Sequence, residues 1–477
     1  MFDVFVQILT IDQTPMNHVF KEACERNDVD MVRLLLIDDR VDPTKCVHVI
    51  QLASEDGYVD LVRLLLTDGR ANPADYKNYP IRLACKNGHF DVVRLLLADS
   101  RVNPAYENNE AIQLACENGH VDVVRLLLAD NRVDPADGGN LALRLACQNG
   151  HIDVVRLLLV DGRADPARGS LVMACASGQL DVVCLLLTDS RVNPADRNNK
   201  AIEWACDAGH IDVIHLLLTN ERVNPADNNN APIRAACHNG HADVVRLLLA
   251  DERVNPSDQN NEAIRLACQR GHADVVRLLL ADRRVDPAVI NNSAIQWACS
   301  SGHADVVSLL LNDRRVDPAD LNNNAIRSAC WQGHIDVVRL LLADPRVNPA
   351  AQNNEAMREA CWKGHVDVVQ LLLVDSRVNP TDQDNAAIRQ ACTNGHIDVV
   401  RLLLADPRVN PADDGNDALR RACANGHIDI ICLLLMDHRI DMHHAVTTCP
   451  EVIRKYGRHE SVLALLSLGG IEAFRSM

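Results

Sequence analysis

Seventeen cysteines and nineteen histidines in a chain of 477 residues are, by type, enough for zinc sites, disulfides or a thiol nucleophile. Spacing decides against each. Thirteen cysteines share one register, Cys24, Cys85, Cys116, Cys147, Cys175, Cys206, Cys237, Cys268, Cys299, Cys330, Cys361, Cys392 and Cys423, and no CxxC occurs. If each register position belongs to one stacked unit, successive thiols lie about 10 Å apart, beyond the roughly 4.4–6.8 Å between Cα atoms that a disulfide needs. They read as small core residues. Cys46, Cys184, Cys432 and Cys449 fall outside the ladder. Eleven histidines, from His89 to His427, each follow a glycine. One histidine per unit cannot bring the three or four converging donors that a metal needs, so the expected role is a bond to nearby turn backbone; His443 and His444 stand apart with no partner in view. Two charge ladders complete the set. Asp91 and its equivalents have, in most units, an arginine such as Arg94 three residues on, an i,i+3 pair; Arg101 and its equivalents follow an acidic residue such as Asp99 by two. The second arginine is expected to bond loop carbonyls and carboxylates. Phosphate-loop, dinucleotide-fingerprint, zinc-protease and serine-elbow motifs are all missing, and a row of like groups does not assemble the unlike, convergent groups of a catalytic centre. The chain is read as no enzyme, with no metal and no cofactor.

The elements behind these ladders follow from self-similarity. Glycines at 57, 88, 119 and 150 are 31 apart; after one step of 28 to Gly178 the period of 31 resumes and runs to Gly426. Asn27 takes the glycine place in an earlier unit, and Gly457 in a degenerate last one. A unit reads NNEAIQLACENGHVDVVRLLLADNRVDPAD. Ile112, Ala115 and Cys116 share one face of a short helix, Asn109 is expected as its N-cap, and Gly119 as its left-handed end. A second helix follows, with Val123, Val124, Leu127 and Leu128 facing inward and Asp122 in the favourable first turn. Then comes an extended loop carrying proline. A hairpin of this size cannot bury its stripe alone, so neighbours must stack. Fifteen units at helix spacing would extend roughly 140 Å. The expected organisation is an extension at 1–12, fourteen repeats over 13–441, and a degenerate capping repeat and tail at 442–477.

AIQLACENGHVDVVRLLL resembles the ankyrin repeat pattern TPLHLAA–GH–VVxLLL, and the likeness recurs along the chain. The fold it implies is an all-α, ankyrin-type helix-turn-helix repeat solenoid of about fifteen stacked units. Departures are present. Polar-Ala replaces Thr-Pro except at Pro80 and Pro232, Arg82 or Gln113 stands where the family has histidine, and the unit is two residues short, with prolines in its loops. Little or no β-hairpin is therefore expected. The resemblance implies protein–protein interaction on a concave surface of first helices and loop tips.

Composition agrees in kind. Aromatics are 3% of residues and net charge is −17, which disfavours nucleic acid and anionic membranes as partners. No apolar run approaches the roughly 18 residues of a membrane span, and the first residues lack the basic start of a secretory signal. A monomeric intracellular protein, cytoplasmic or nuclear, is expected.

Function in such an array belongs where units depart from their own consensus and are exposed. Trp204 and Trp297 precede the ladder Ala-Cys and are expected to fill gaps where other units have Leu83 or Leu114; Trp331 and Trp362 follow it. The candidate protein-binding patch on the concave face is Arg327, Trp331, Arg358 and Trp362 with Gln332 and Lys363, as two side-by-side i,i+4 Arg–Trp pairs poised for cation–π stacking. Loop tips with Tyr76, Tyr79 and Tyr106 are a second candidate, and the apolar tip Val289-Ile290 a third. A scaffold or adaptor is the leading function, a regulatory or substrate-targeting subunit of an enzyme complex the alternative, and a purely mechanical array a further rival. The short unit around 160–178 lacks the Asn and carries Val172, Gln179 and Cys184 where others have Arg, His and Arg. A local change in stacking angle, or a weak point between blocks 1–160 and 180–477, is expected there.

Overall fold

The computed structural model describes residues 16–46 and 48–448, with 455, 459–462 and 464 beyond. The expected extension at 1–12, and most of the expected cap at 442–477, lie outside the described residues. Contacts divide the molecule into two compact units, Met1–Pro232 and Ile233–Met477.

In the first unit, the helix Tyr106–Glu117 packs against Val121–Leu128, and the pattern recurs in Asp137–Gln148 with Ile152–Asp161. Ile112, Ala115, Cys116, Val124 and Leu127 are fully buried; burying one such aliphatic side chain contributes about 1.5–3 kcal/mol. Leu128, expected inward, is only half-buried. The second unit repeats the scheme, as in Asp320–Gln332 with Ile335–Ala343 and Ala351–Lys363 with Val366–Val374. Within each unit the first helices pack more closely on one another than the second helices do. No strand occurs among the described residues.

Three side chains per repeat fasten neighbours. Arg132 reaches back to the carbonyls of Val102 at 2.9 Å and Leu97 at 3.2 Å. Leu97 ends its helix, so the guanidinium satisfies an orphan carbonyl and places a cation where the helix dipole favours one. The Asp130 carboxylate holds the other side of the fork at 2.9 and 2.6 Å, a bidentate geometry. Arg346 with Asp344 does the same in the second unit. The arginine ladder thus has the carbonyl and carboxylate partners expected of it. Pairing on the other charge ladder is present at Arg94–Asp91, Arg246–Asp243 and Arg277–Asp274.

The histidine bonds backbone, but across the repeat. His365 Nε2 lies 3.0 Å from the Trp331 carbonyl and His396 Nε2 2.9 Å from that of Trp362, near the otherwise unpaired end of the preceding first helix. Each ring also rests on the preceding turn glycine. A Cβ on Gly333 would stand 2.5 Å from His365 Nδ1.

The asparagine departs from expectation. Asn109 is no N-cap: it is the third of three consecutive left-handed residues, Glu107, Asn108 and Asn109, with φ of 52°, 57° and 63°. Its buried side chain accepts from the Asp134 amide at 2.8 Å and donates to Asp137 Oδ2 at 2.8 Å, tying the turn to the loop that leads into the next repeat. Left-handed backbone costs about 1–2 kcal/mol per ordinary L-residue and is tolerated best by Gly and Asn. That accounts for Asn-Asn in most units and Gly138-Gly139 in another.

The short repeat keeps some of these ties. Gln179 Nε2 replaces the histidine and donates to the Gln148 carbonyl at 3.2 Å. One left-handed residue, Gly169 at φ 90°, stands for the usual three. Arg191 reaches the Ala164 carbonyl only at 3.5 Å.

Candidate protein-docking face

The first helices position the candidate patch. Arg327, Trp331 and Gln332 lie on Asp320–Gln332, and Arg358, Trp362 and Lys363 on the next first helix, Ala351–Lys363. The inward faces of both helices are fixed by Ile326, Ala329, Cys330, Met357, Ala360 and Cys361, all fully buried. The residues at i+4 from the arginines therefore point outward: Trp331 is 37% and Trp362 41% exposed. Gln332 and Lys363 are exposed as well.

The expected Arg–Trp stacking within one helix is not what forms. Arg327 Nε sits 2.7 Å from Glu355 Oε2 on the next helix. Arg358 donates from Nε to the Asn353 carbonyl at 3.3 Å and from Nη2 to that of Gln352 at 3.1 Å, capturing the carbonyls of its own left-handed turn. The cation over Trp331 is instead Lys363, with Nζ 4.1 Å from the ring centroid. Turn carbonyls and a carboxylate are stronger partners for a guanidinium than an exposed ring, worth only about 0.5–1 kcal/mol.

Beside these lies Glu359, which the sequence reading passed over. Its Oε2 is buried and has no hydrogen-bond partner. Burial, then the neighbouring Glu355 charge, pushes its carboxyl up to about 7 against the opposing pull of Arg327 and Arg358. The signal was available: its register holds Leu83, Leu114, Leu145 and Leu266 in other units, so a carboxylate there is a departure as large as a tryptophan.

The other candidates divide. Tyr76 is exposed at the tip, in the left-handed turn, its ring stacked on His48 at 4.9 Å. It borders a cleft of about 470 Å³ lined also by Pro43, Gln51 and Arg70. Tyr79 is exposed under the Arg82 guanidinium, 5.2 Å from its ring centre, and Tyr106 is half-buried. Val289 is half-buried, whereas Ile290 is exposed in the left-handed region at φ 51°, as is Leu321 at φ 50° in the following repeat. Leu321 was not singled out from sequence. The gap-filling reading of Trp204 is overturned: its ring is 43% exposed, with Lys200 Nζ 5.8 Å from its centre. Trp297 is half-buried with Arg265 5.2 Å above it. Leu114 and Leu145 are themselves only half-buried, so this register lies at the rim of the core and an indole overfills it.

Of the chemistry-bearing ladders, all thirteen register cysteines are buried. Burial pushes up the thiols of eleven of them, Cys147 to about 12. No group of three His, Cys, Asp or Glu side chains is placed to hold a metal among the described residues. No helix among them is long and apolar enough to cross a membrane. A search of curated proteins returns no relative. The family description "Ankyrin repeats (3 copies)" matches residues 20–108, 101–170, 204–291, 264–353 and 356–445. Shared helix order, turn glycine and buried Ala-Cys/Val-Val-Leu core agree with that match along both units, and the chain belongs to the ankyrin repeat family.

Proposed function

We propose that this chain is an interaction scaffold that docks a protein, through an extended segment, on the first-helix face around Trp331 and Trp362. Ankyrin repeats are generally protein–protein interaction modules and typically non-catalytic. The observation that carries the finer reading is the exposure of two neighbouring indoles in a chain with only four tryptophans. Large aromatics with flanking arginines are the types most enriched at energetic centres of interfaces. Free, buried cysteines without disulfides among the described residues fit a reducing, intracellular setting, with the chain acting as a monomer. In this reading the repeats over 13–441 form the binding body and 442–477 its cap.

The test is affinity capture with the natural chain and with Trp331→Ala/Trp362→Ala, scored for binding and for melting temperature. Loss of an interface anchor weakens binding by about 2 kcal/mol or more and leaves the melting temperature nearly unchanged. Unchanged binding with a clearly lower melting temperature would make the patch structural.

A further inference from the structure

The face carrying the exposed tryptophans has a charge unlike that of the molecule. The whole chain is −17. Downstream of their left-handed turns, the first helices from Ile233 onward carry nine Arg or Lys (234, 265, 270, 327, 358, 363, 389, 420, 421) against four Asp or Glu (262, 355, 359, 417). A further pattern separates the ion-paired cations from the rest. Arg82, Arg234, Arg327 and Arg389 each meet a carboxylate 28 residues on: Glu110, Glu262, Glu355 and Asp417. The same step arrives at Ser293 from Arg265, which likewise holds the carbonyls of its own turn, and at Ala386 from Arg358.

Arg358 is therefore clamped on one edge by two backbone carbonyls and forms no ion pair among the described residues. A guanidinium fixed in this way presents its remaining donors as a preorganised receptor for a carboxylate. Lys363, poised over the Trp331 ring, likewise meets no acidic side chain there. Their repeats' tips, Leu321 and Gln352, add no charge. We propose that the docked segment is acidic, and that it seats a carboxylate on Arg358 and Lys363 with apolar flanks against Trp331 and Trp362. This inference rests on the docking reading above and names the chemistry of its partner.

Glu359 is the titratable neighbour of such a carboxylate, next to Arg358 in the chain. Arg327 and Cys330 on the preceding first helix and Glu355 and Arg358 on its own act on it; its own helix also carries Cys361 and Lys363, and the following first helix carries Arg389 and Cys392. Arg389 is engaged by Asp414 and Asp417. With its carboxyl raised to about 7, Glu359 is neutral on the acid side and can then donate to an incoming carboxylate. On the alkaline side it is charged and repels one. Affinity for an acidic segment therefore falls as pH rises through neutrality, in the manner of two carboxylates sharing one site.

The experiment titrates the full chain with two synthetic peptides of equal length and equal apolar content, one glutamate-rich and one lysine-rich, across neutral pH. The glutamate-rich peptide is expected to bind more tightly, with affinity falling by up to about tenfold per pH unit above the Glu359 transition, the limit for one coupled proton. Arg358→Ala should reduce that affinity several-fold, while Glu359→Gln should raise it at alkaline pH and flatten the profile. Tighter binding of the lysine-rich peptide, binding of neither peptide, or an unchanged profile in Glu359→Gln overturns the inference. If the lysine-rich peptide binds and Trp331→Ala/Trp362→Ala abolishes it, the docking face stands and only its acidic partner falls. If glutamate-rich binding survives that double variant, the Trp-centred face falls instead.

Discussion

At the residue scale, the turn glycine and the histidine one repeat further on act as one device. Gly333 needs its left-handed φ of 82° and also lends its bare Cα as the floor for His365. Gly333→Ala should destabilise through both effects, the backbone alone by about 1–2 kcal/mol. Part of the loss should return in Gly333→Ala/His365→Ala, because the second change removes the ring that the new methyl meets. A double-mutant cycle by chemical denaturation measures that coupling, and strict additivity would show that ring and methyl do not collide. The ladder thiols give a second residue-scale expectation. Buried, they should resist a thiol reagent in the native protein, whereas exposed Cys184 reacts. Cys268→Leu should overpack its slot at a cost of about 1–3 kcal/mol. Rapid native labelling of many ladder cysteines would overturn their role as core.

At the scale of the element, the Asp-x-Arg clamp ties each repeat to the one before it. The Arg346 fork beside Asp344 holds that carboxyl below its ordinary value. A depressed carboxyl contributes stability above the unfolded value of about 4, and that stability is lost as pH falls through the folded value. Asp344→Asn should therefore lower the melting temperature near neutral pH and make little difference in strong acid, where both variants have lost the charge. Parallel melting curves at all pH values would mean that the pair contributes nothing. The same clamp is loose at the short repeat, where Arg191 stands 3.5 Å from its carbonyl and a single glycine replaces the three-residue turn. Amide hydrogens at 165–178 should exchange faster than those of the flanking repeats. Equal protection would show that the missing residues cost the junction nothing.

At the scale of the molecule, most of the architecture was legible because a period of 31 repeats its evidence many times over. The buried Ile112, Ala115, Cys116 and Val123-Val124 faces follow from helical spacing alone. What spacing could not convey is reach. That Asn109 bonds an amide 25 residues away, or His365 a carbonyl 34 back, depends on how repeats stack. An N-cap asparagine and a left-handed one look alike when read singly, although Gly138-Gly139, in the register of Glu107-Asn108 just before it, is the clue that separates them. The site was legible only in part, for the same reason. Exposure of Trp331 and Trp362 follows from the helical face, but the partners of Arg327, Arg358 and Lys363 lie across repeats or in backbone carbonyls.

The three fastenings also bear on how such a gene can change. Away from the short repeat, the ladder Asn, Arg and His engage their own repeat or the one adjoining it through recurring atoms. A junction therefore carries no record of its place in the row. An unequal crossover that adds or removes one whole period inside a unit recreates a junction already present elsewhere, so the array can lengthen or shorten by recombination without any interface being invented anew. What such an event would displace is the unrepeated part, the step between Trp331 and Trp362. Inheritance of function in this array would be inheritance of that spacing.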